Sequence, residues 1–486
     1  MGEVQGTLFS PDFNRSVVIE ARPERLSSDA GALLIRDLTD RLGLPGLADT
    51  YLDDPRDPDR ISHPFVEVLR TWLLLLVHGW SDQNDVALLR HDPVLRLAVS
   101  TRKGDSPLRP SEGQLPDQLC SQSTLSRLLY ILSGKANEAG LAHIVRQVVV
   151  PFLGARRTEA TLDLDSFPHL VHGHQPGTAY NAPYHARCFH PLVASIDGRF
   201  FLGGQLRAGN VHTADGGLEF VLPILRWLKT FVPRVWLRAD AGFPAPTFLD
   251  TLEHENSPYV CRLRANAALD RLATPFLTRP AGRPPAEGRT WFHELSYRAA
   301  TWSRARRVVL VVLERPDEQQ HLFLDHFFLL TSASPDEESA EALLDRYRLR
   351  GAAEADFGAF KSTLAATLSS TPRPKAHYRD LPVSGPYQEP DTFAANQAKL
   401  LLALLSANIL AAGADLLSRD ETVRMSRERF RVFVLKAAAR VLLSARRVTV
   451  VIEAARAHLW LRFRAALLKL PPARGSPLLR TLPTPA

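Results

Sequence analysis

Thr161-Leu-Asp-Leu-Asp-Ser-Phe167 alternates polar and apolar side chains, which is the pattern of a β-strand with two different faces. A second stretch, Arg234-Val-Trp-Leu-Arg-Ala-Asp240, also has the composition of a short strand and ends on an aspartate. Both predicted strands therefore carry an acid, Asp165 or Asp240, at or near their carboxyl end. The fold class predicted for the whole chain follows from these two strands.

Further elements are predicted between those two strands. Residues 190–196 and 199–206 have strand patterns, and Asp197-Gly198 between them is a turn signature of β-hairpins. A helical pattern then covers residues 217–230. The resulting order, β-β-β-α-β, is characteristic of ribonuclease-H-like nuclease cores. We therefore expect an α/β protein with such a catalytic core.

The rest of the chain divides by apolar spacing and by its Pro- and Gly-rich breaks. In the first region, residues 121–130 resemble the start of a DNA-recognition helix that carries Arg127. Five segments are predicted: a helical N-terminal DNA-binding or dimerisation region (1–155), the first part of the core (156–250), a β-rich insertion (251–338), the second part of the core (339–420), and a basic helical C-terminal region with a Pro-rich tail (421–486).

Three acids could carry chemistry: Asp165, Asp240 and Glu354, which lies in a helix predicted at 339–367. Carboxylates that are gathered at one place repel one another unless a cation lies between them. Their hard oxygen ligands suit Mg²⁺ or Mn²⁺, and two such ions about 4 Å apart stabilise the attacking and leaving oxygens of phosphodiester chemistry. Any three acids among the 52 in this chain are weak evidence on their own.

The predicted helix adds a pattern to these acids. Tyr347, Arg350, Glu354 and Lys361 are spaced so that, at about 100° per residue, they fall within an arc of about 60°. One helix face would then present an aromatic ring, two cations and a carboxylate to water or to a charged ligand. A solvated stripe with an Arg350–Glu354 ion pair explains the same spacing without any ligand.

These stretches together resemble the DDE transposases of bacterial insertion sequences, and most closely insertion-sequence family 1380. Tyr347-Arg-Leu-Arg-Gly-Ala-Ala-Glu354 with Lys361 is similar to the Y-x2-R-x3-E-x6-K signature of that family and its wider relatives. The similarity spans residues 25–450, with matching motifs at Leu26-Ser-Ser-Asp-Ala-Gly-Ala-Leu-Leu34, Asp82-Gln-Asn-Asp85, Ser123-Thr-Leu-Ser-Arg127, Leu162-Asp-Leu-Asp-Ser166, His172-Gly-His-Gln175, Leu237-Arg-Ala-Asp-Ala-Gly-Phe243 and Ala395-Asn-Gln397.

The resemblance implies a metal-dependent recombinase that cuts the terminal inverted repeats of its element and joins them to target DNA. Carried over by position, Asp165, Asp240 and Glu354 would be the catalytic triad, and would bind two Mg²⁺ or Mn²⁺ ions. Tyr347, Arg350 and Lys361 would position the DNA strands. Because two element ends have to be paired, a homodimer is expected in the synaptic complex.

Three alternatives remain open at this point. Asp163 faces the same side of its strand as Asp165 and could be the first metal ligand instead. The chain has Phe167-Pro168-His169 where the family usually has Thr-Asp-Asp, and an extra loop at 370–390, so an inactive DNA-binding repressor is a second candidate function. A zinc hydrolase is a third, with a histidine cluster around Cys188: His169, His172, His174, His185 and His190.

The charge distribution also indicates a polyanionic partner. The chain has a net charge of +7, and only eight of its 59 basic residues are lysine. Arginine grips phosphate with two donors at once. Residues 421–486 contain fourteen basic and three acidic residues, so they carry most of the excess charge. A GC-rich genome would favour arginine too, and a solvated arginine-rich helix pair would account for the segment.

Cysteine usage and the N-terminal sequence indicate the compartment. The three cysteines are widely spaced and fit a reducing cytosol better than a disulfide framework. The first residues do not have the basic-then-apolar layout of a signal peptide. The apolar runs at 71–77 and 400–412 are shorter than the ~20 residues of a membrane span. We therefore expect a cytoplasmic protein without a membrane partner.

Overall fold

The computed structural model describes residues 6–102, 107–109, 118–154, 157–171, 175–282, 285, 288–316, 322–364, 368, 392–418, 425–444 and 447–471. Within those ranges, side chains are described except at 315, 316, 322, 323, 352–357 and 359–364.

The α-helices are α1 (Ala32–Arg41), α2 (Leu44–Tyr51), α3 (Phe65–His78), α4 (Asp85–Leu89), α5 (Pro93–Val99), α6 (Gln122–Leu132), α7 (Lys135–Gln147), α8 (Val150–Leu153), α9 (Gly217–Lys229), α10 (Pro246–His254), α11 (Ala267–Ala273), α12 (Ala340–Leu364), α13 (Thr392–Ser418), α14 (Arg427–Phe430) and α15 (Ala457–Lys469). The strands are β1 (Gly6–Phe9), β2 (Ile19–Ala21), β3 (Leu26–Ser27), β4 (Glu159–Ser166), β5 (His169–Leu170), β6 (Ala179–Asn181), β7 (Ala186–Phe189), β8 (Leu192–Ile196), β9 (Phe200–Gln205), β10 (Arg234–Ala239), β11 (Tyr259–Leu263), β12 (Arg289–Tyr297), β13 (Arg306–Pro316), β14 (Leu322–Thr331), β15 (Ala439–Leu443) and β16 (Val448–Ile452).

The chain forms two compact units. One unit combines the two ends of the chain, Met1–Ile131 and Ile409–Ala486, and the other is the continuous segment Leu132–Asn408. We call them the terminal unit and the central unit. The first predicted core segment (156–250) and the β-rich segment lie in the central unit, and the second predicted core segment (339–420) lies there up to residue 408.

The central unit is a mixed α/β structure around an eight-stranded sheet. The strand order is β12-β13-β14-β11-β10-β4-β8-β9. Strands β4, β10 and β11 run parallel to one another, and the other neighbours pair antiparallel. The carboxyl ends of the three parallel strands therefore meet at one edge of the sheet, which is where open α/β sheets usually bind ligands. The elements predicted at 161–240 are confirmed to within a few residues, and the segment predicted to be β-rich contains the four strands β11, β12, β13 and β14.

The end of this sheet formed by β8 and β9 is covered on both faces, because these two strands are apolar on both sides. All of β8 and all but the last residue of β9 are buried. Two adjacent glycines in β9 let the covering helices approach closely. A side chain at Gly203 would press on Ile224 of α9, and one at Gly204 would collide with Leu404 of α13. Helices α9 and α13 thus pack on opposite faces of the sheet.

Two amides of α13 close the free edge of the sheet at β9. Gln397 accepts a hydrogen bond from the Leu206 N–H at 2.6 Å and donates to the Gly204 carbonyl at 3.0 Å. Asn408 accepts from the Phe201 N–H and donates to the Phe201 carbonyl, both at 2.8 Å. The exposed backbone groups of an edge strand are therefore satisfied by side chains. The Ala395-Asn-Gln397 motif thus contributes to the fold at this edge.

The β-rich segment extends the central sheet. Its first strand, β11, pairs with β10 on one side and with β14 on the other. Trp302, which lies between β12 and β13, is only 4% exposed. It packs edge-on to Tyr297 and beneath the guanidinium of Arg306. This aromatic side chain therefore belongs to the core.

In the terminal unit, the motif that begins at Leu26 packs against the C-terminal segment. The backbone N–H groups of Ala30 and Gly31 donate to the carbonyls of Ala437 and Leu435. The fully buried Asp29 carboxylate pairs with Lys436 at 2.6 Å. The two ends of the chain are thus joined by a charge pair and by backbone hydrogen bonds.

The helical expectation for 421–486 is only partly correct. Helix α15 is present, but Ala439–Leu443 and Val448–Ile452 form an antiparallel hairpin that pairs with β3. All five residues of Val448–Ile452 are β-branched and favour a strand. The apolar spacing of the segment had predicted helices instead.

Much of the positive charge in this C-terminal segment stabilises the terminal unit. Arg431 donates to the Val77 carbonyl, Arg462 to the Leu417 carbonyl, and Arg456 to the Phe433 carbonyl. Arg464 pairs with Asp37, and Arg440 with Glu24. The basic composition of the segment is therefore weak evidence for a DNA-binding surface.

One helix of the described chain has the length and composition of a membrane span. It is α13, with 27 residues, and 94% of its most apolar 18-residue window is buried within the protein. The run 400–412, expected to be too short for a span, belongs to this longer helix. Its burial is what a core helix shows.

Buried His78 makes the terminal unit sensitive to acid. Burial lowers the pKa of His78 to about 4 from its usual 6.5, and the nearby Asp29 carboxylate opposes that shift. Between those two values the unfolded chain binds a proton at this position and the folded chain does not, so stability falls as the pH falls below 6.5. The contribution of one such group is at most about 1.4 kcal/mol per pH unit.

We predict that His78→Met loses about 2 kcal/mol less stability than the wild type between pH 7 and pH 5. Urea unfolding of both proteins at the two pH values measures this difference. An equal pH dependence of the two proteins would contradict it, as would an NMR titration in which the His78 ring protonates near its usual pKa.

Candidate active site

Two rows of paired residues cross the central sheet between β4 and β10. The parallel register places Asp163 opposite Arg238 and Leu164 opposite Ala239. The next positions along the two strands are Asp165 and Asp240. Side chains at paired positions point to the same face, and neighbouring strands lie about 4.8 Å apart. The register therefore brings the first two predicted acids side by side at the carboxyl edge.

The first row is a buried ion pair. Asp163 and Arg238 are each 2% exposed. Arg238 donates to both carboxylate oxygens of Asp163, from Nε at 2.5 Å and from Nη2 at 3.0 Å. Burial raises the pKa of the Asp163 carboxyl, and the hydrogen-bonded guanidinium opposes that rise. A third donor, the Gly198 N–H, lies 3.1 Å away. Asp163 is thus occupied by contacts within the fold.

Asp165 begins the second row and is more accessible. Its side chain is 16% exposed, and its Oδ1 accepts the Ser166 N–H at 2.9 Å. The same oxygen lies 3.3 Å from Nη2 of Arg350 on α12. Phe167, which stands where the resembling family has threonine, is buried instead. Of the two aspartates on β4, Asp165 is the one that lies at the open edge.

Asp240 follows β10 directly and is also partly exposed. Its Oδ1 accepts the Gly242 N–H at 2.7 Å, which holds the carboxylate against the tight turn that follows. A side chain at Gly242 would contact this oxygen and Thr213 too closely. The Ala-Gly sequence after Asp240 is thus needed for the turn that orients the acid.

A histidine and an arginine that the fold brings to the same edge support the turn around Asp240. His190 is buried, and burial with the nearby Arg207 charge lowers its pKa, while Asp240 opposes that shift. Arg207 donates to the carbonyls of His190 and Thr213, both at 3.0 Å. Gly209 packs against the Cys188 carbonyl with no room for a side chain. This loop is therefore a rigid wall of the candidate site.

Helix α12 lies over the same face of the sheet. Arg346 stacks on Trp236 at 4.1 Å and pairs with Glu159 at 2.9 Å. Its carbonyl also accepts a hydrogen bond from Arg238. One turn later, Arg350 contacts Asp165. The helix thus runs along β4 towards the carboxyl edge, and each of these two turns places an arginine on the strand.

The sequence also predicted Tyr347, Glu354, Lys361 and Arg127 as site residues. Tyr347 is half-buried beside Arg350, and burial raises its pKa. Glu354 and Lys361 belong to α12, but their side chains lie outside the described residues. The predicted loop at 370–390 also lies outside the described part of the chain. Arg127 is exposed on α6 of the terminal unit. The structure therefore brings Asp165, Asp240, Arg350 and Tyr347 to one region.

The histidine cluster proposed for zinc can be described only in part, because His172 and His174 lie outside the described residues. Cys188 is buried, and burial raises the pKa of its thiol. Within the described ranges, no group of three or more His, Cys, Asp or Glu side chains has the arrangement of a metal site.

The donor chemistry at the carboxyl edge fits a hard divalent cation. Asp165 and Asp240 offer carboxylate oxygens from adjacent strands, and such oxygens are the ligands that Mg²⁺ and Mn²⁺ prefer. The contact between Arg350 and Asp165 shows that this position already holds positive charge near the acids. Two donors are described, so any third ligand has to come from outside the described side chains.

The partner of Asp163 was missed at the sequence level. Arg238 and Asp240 are two apart, as are Asp163 and Asp165, and the two pairs come into register in the sheet. The repeated spacing in Asp-Leu-Asp and Arg-Ala-Asp was the available signal. The role of Arg207 had no such signal, because its partners are backbone carbonyls of a loop.

The sequence matches the family described as Transposase DDE domain group 1 over residues 9–379. No protein with a curated description matches it significantly. Seven chains of solved structures match, among them a chain of the cryo-EM structure of the piggyBac transposase synaptic complex with hairpin DNA. That match has 12% sequence identity and a TM-score of 0.37, and covers 83% of this chain and 77% of that chain.

We predict that Asp163→Asn and Asp165→Asn affect stability very differently, although both remove one negative charge from the same strand. Asp163→Asn leaves the buried Arg238 without its carboxylate and should cost about 3–5 kcal/mol. Asp165→Asn removes a partly exposed contact and should cost about 1 kcal/mol or less. Urea unfolding measures both losses, and equal losses would refute the distinction between a structural and an accessible acid.

Proposed function

The chain belongs to the family of transposase DDE domains, and we propose that it is the transposase of a bacterial insertion sequence similar to insertion-sequence family 1380. It cuts DNA at the terminal inverted repeats of the element and transfers the freed strands into target DNA, by a cut-and-paste route. The observation that carries the proposal is the in-register placement of Asp165 and Asp240 at the carboxyl edge of parallel strands.

The catalytic core of this transposase is ribonuclease-H-like. Strands β5, β6 and β7 form a small separate sheet between β4 and β8. Without them, the elements of the central sheet follow in the order β4, β8, β9, α9, β10, and this β-β-β-α-β order, expected of such cores, supports the assignment. The acid on the first strand and the acid after the fourth strand then lie next to each other in the sheet. The β-rich strands β12, β13 and β14 extend this core along the side of β11.

Asp165, Asp240 and Glu354 would hold two divalent cations, Mg²⁺ or Mn²⁺. Glu354 lies four residues after Arg350 in α12, and Arg350 in turn lies four residues after Arg346. Positions four apart lie on nearly the same side of a helix. The third acid is therefore one turn further along the helix side that already contacts the sheet at Glu159 and Asp165. When bound, the cations would supply the positive charge that stabilises the attacking and leaving oxygens.

The chain's own residues position the DNA around these acids. Arg350 exchanges its Asp165 contact for a phosphate of the bound strand, and Tyr347 and Lys361 hold the same strand along α12. Arg127 on α6 contacts DNA further from the cut. Water first hydrolyses the phosphodiester at the element end, which releases a 3′-hydroxyl on the element and leaves a 5′-phosphate on the flanking DNA. The 3′-hydroxyl then attacks a target phosphodiester, bonds to its phosphorus and displaces the 3′-hydroxyl of the target strand. Two copies of the chain pair the two ends, in the cytoplasm.

The test is cleavage of a duplex that carries the inverted repeat flanking the reading frame. We expect cutting at the repeat end in Mg²⁺ or Mn²⁺ and none in EDTA. Asp240→Ala and Glu354→Ala should each lose at least about 10²-fold in cleavage rate, since each acid contributes several kcal/mol to a metal-assisted step. DNA binding, measured by fluorescence anisotropy without metal, should be retained by both variants.

Glu219→Gln is the matched control, because it removes an exposed acid from α9 on the opposite face of the sheet. It should cut at the wild-type rate. Cutting that persists in EDTA would overturn the proposal. Specific binding to the repeat without cutting under any divalent metal would indicate a DNA-binding repressor instead.

A further inference from the structure

A groove lies beside the candidate active site, between α12 and the strands β11, β13 and β14. Among the residues that line it are Arg262, Phe327, Tyr347, Arg348 and Arg350. We call it the arginine groove. Among the residues whose side chains the structure describes, its lining contains three arginines and no aspartate or glutamate, and one of the three, Arg350, also contacts Asp165. Three like charges that converge on one groove favour an anionic ligand.

Arg262 places positive charge next to the acids. The register pairs Ala239 with Cys261, so Arg262 is the neighbour of Asp240 in the same row across the sheet. At about 4.8 Å per strand, its backbone lies roughly 10 Å from that of Asp165. The guanidinium of Arg262 is exposed and lies over the ring of Phe327 at 5.2 Å. An arginine that is stacked on an aromatic ring keeps its N–H edges available for phosphate.

Arg348 lines the groove from α12. Its side chain is 50% exposed, and the nearest described carboxylate, Asp345, is 3.8 Å away and itself 70% exposed. Such a long, exposed contact contributes little and does not compete strongly with a ligand. Arg262 and Arg350 both lower the pKa of Tyr347 against the effect of burial, which places their positive charge around its hydroxyl. The groove is therefore electropositive along its length.

We propose that the arginine groove binds the phosphate backbone of a DNA strand that leaves the active site, and that Arg262 and Arg348 each contact one of its phosphates. This inference rests on the proposed function and extends it to two residues outside the signature motif. Charge complementarity favours a polyanion, and the aromatic rings of Phe327 and Tyr347 suit a ligand that also carries planar bases. Because the groove adjoins Asp165 through Arg350, the strand would be held just beyond the position at which it is cut.

The salt dependence of DNA binding tests this assignment directly. Each phosphate contact that is lost should lower the magnitude of the slope of log K against log [salt] by about 0.9 for duplex DNA. Arg262→Gln and Arg348→Gln should each lower the slope by about that amount and weaken binding several-fold at 0.1 M salt. The probe is a fluorescent duplex that carries the inverted repeat. Binding is titrated without divalent metal at KCl concentrations between about 50 and 300 mM, a range over which such slopes can be measured.

Two further variants separate charge from general damage. Arg226→Gln removes an exposed arginine of α9, which pairs with Glu255. Helix α9 packs on the face of the sheet opposite to the groove, so this variant should leave the slope unchanged. Arg348→Lys keeps the charge and should keep the wild-type slope. If Arg262→Gln does not fold, Arg348→Gln and Arg348→Lys decide the question, because position 348 is exposed on a helix.

Unchanged slopes for Arg262→Gln and Arg348→Gln would overturn the groove assignment, as would an equal loss in Arg226→Gln. The outcome is independent of cleavage. If the wild type binds the repeat with the predicted slope changes and cuts nothing, the groove assignment stands and the transposase reaction fails. If the wild type cuts the repeat and the slopes do not change, the reaction stands and the groove is not the DNA path.

Discussion

The buried ion pair between Asp163 and Arg238 is the contact on which the candidate active site depends. It joins the two strands that carry Asp165 and Asp240, two residues before each of those acids. Because a buried charge without its partner is costly, this pair strongly disfavours a slip of one strand against the other. A one-residue slip would also turn one acid to the opposite face of the sheet. The pair thus maintains the spacing of the two acids, and it takes no part in chemistry itself.

Helix α12 is positioned by the same buried charges. Arg238 donates to the Arg346 carbonyl, and Arg346 stacks on Trp236, which packs in the apolar cluster between the helix and the sheet. The helix is therefore attached to the sheet before it reaches the carboxyl edge. One turn after Arg346, Arg350 of the same helix contacts Asp165. Residues of α12 also form one wall of the arginine groove. A single helix thus connects the structural ion pair, the accessible acids and the proposed path of DNA.

Arginine has two physical uses in this protein, which explains why composition alone was ambiguous. In the C-terminal segment, Arg431, Arg456 and Arg462 donate to backbone carbonyls, so their charge is used inside the terminal unit. In the arginine groove, Arg262 and Arg348 are exposed, and among the described residues Arg262 stacks on Phe327 while Arg348 has only a long, exposed contact with Asp345. Net charge counts both kinds equally, and only the second kind can attract a polyanion.

The sequence by itself predicted β4, β8, β9, β10, α9 and α12 of the central unit, because their apolar periodicity is local, and it singled out Asp165, Asp240, Tyr347 and Arg350. It did not determine the C-terminal hairpin Ala439–Leu443 with Val448–Ile452, because that hairpin depends on pairing with β3 from the other end of the chain. Only the tertiary structure decided which acid of Asp163 and Asp165 is accessible, because both face the same side of β4 and differ only in what the neighbouring strand places opposite them. Likewise, only the strand register could place Arg262 beside Asp240, since the two residues belong to neighbouring segments of chain whose alignment no local pattern specifies.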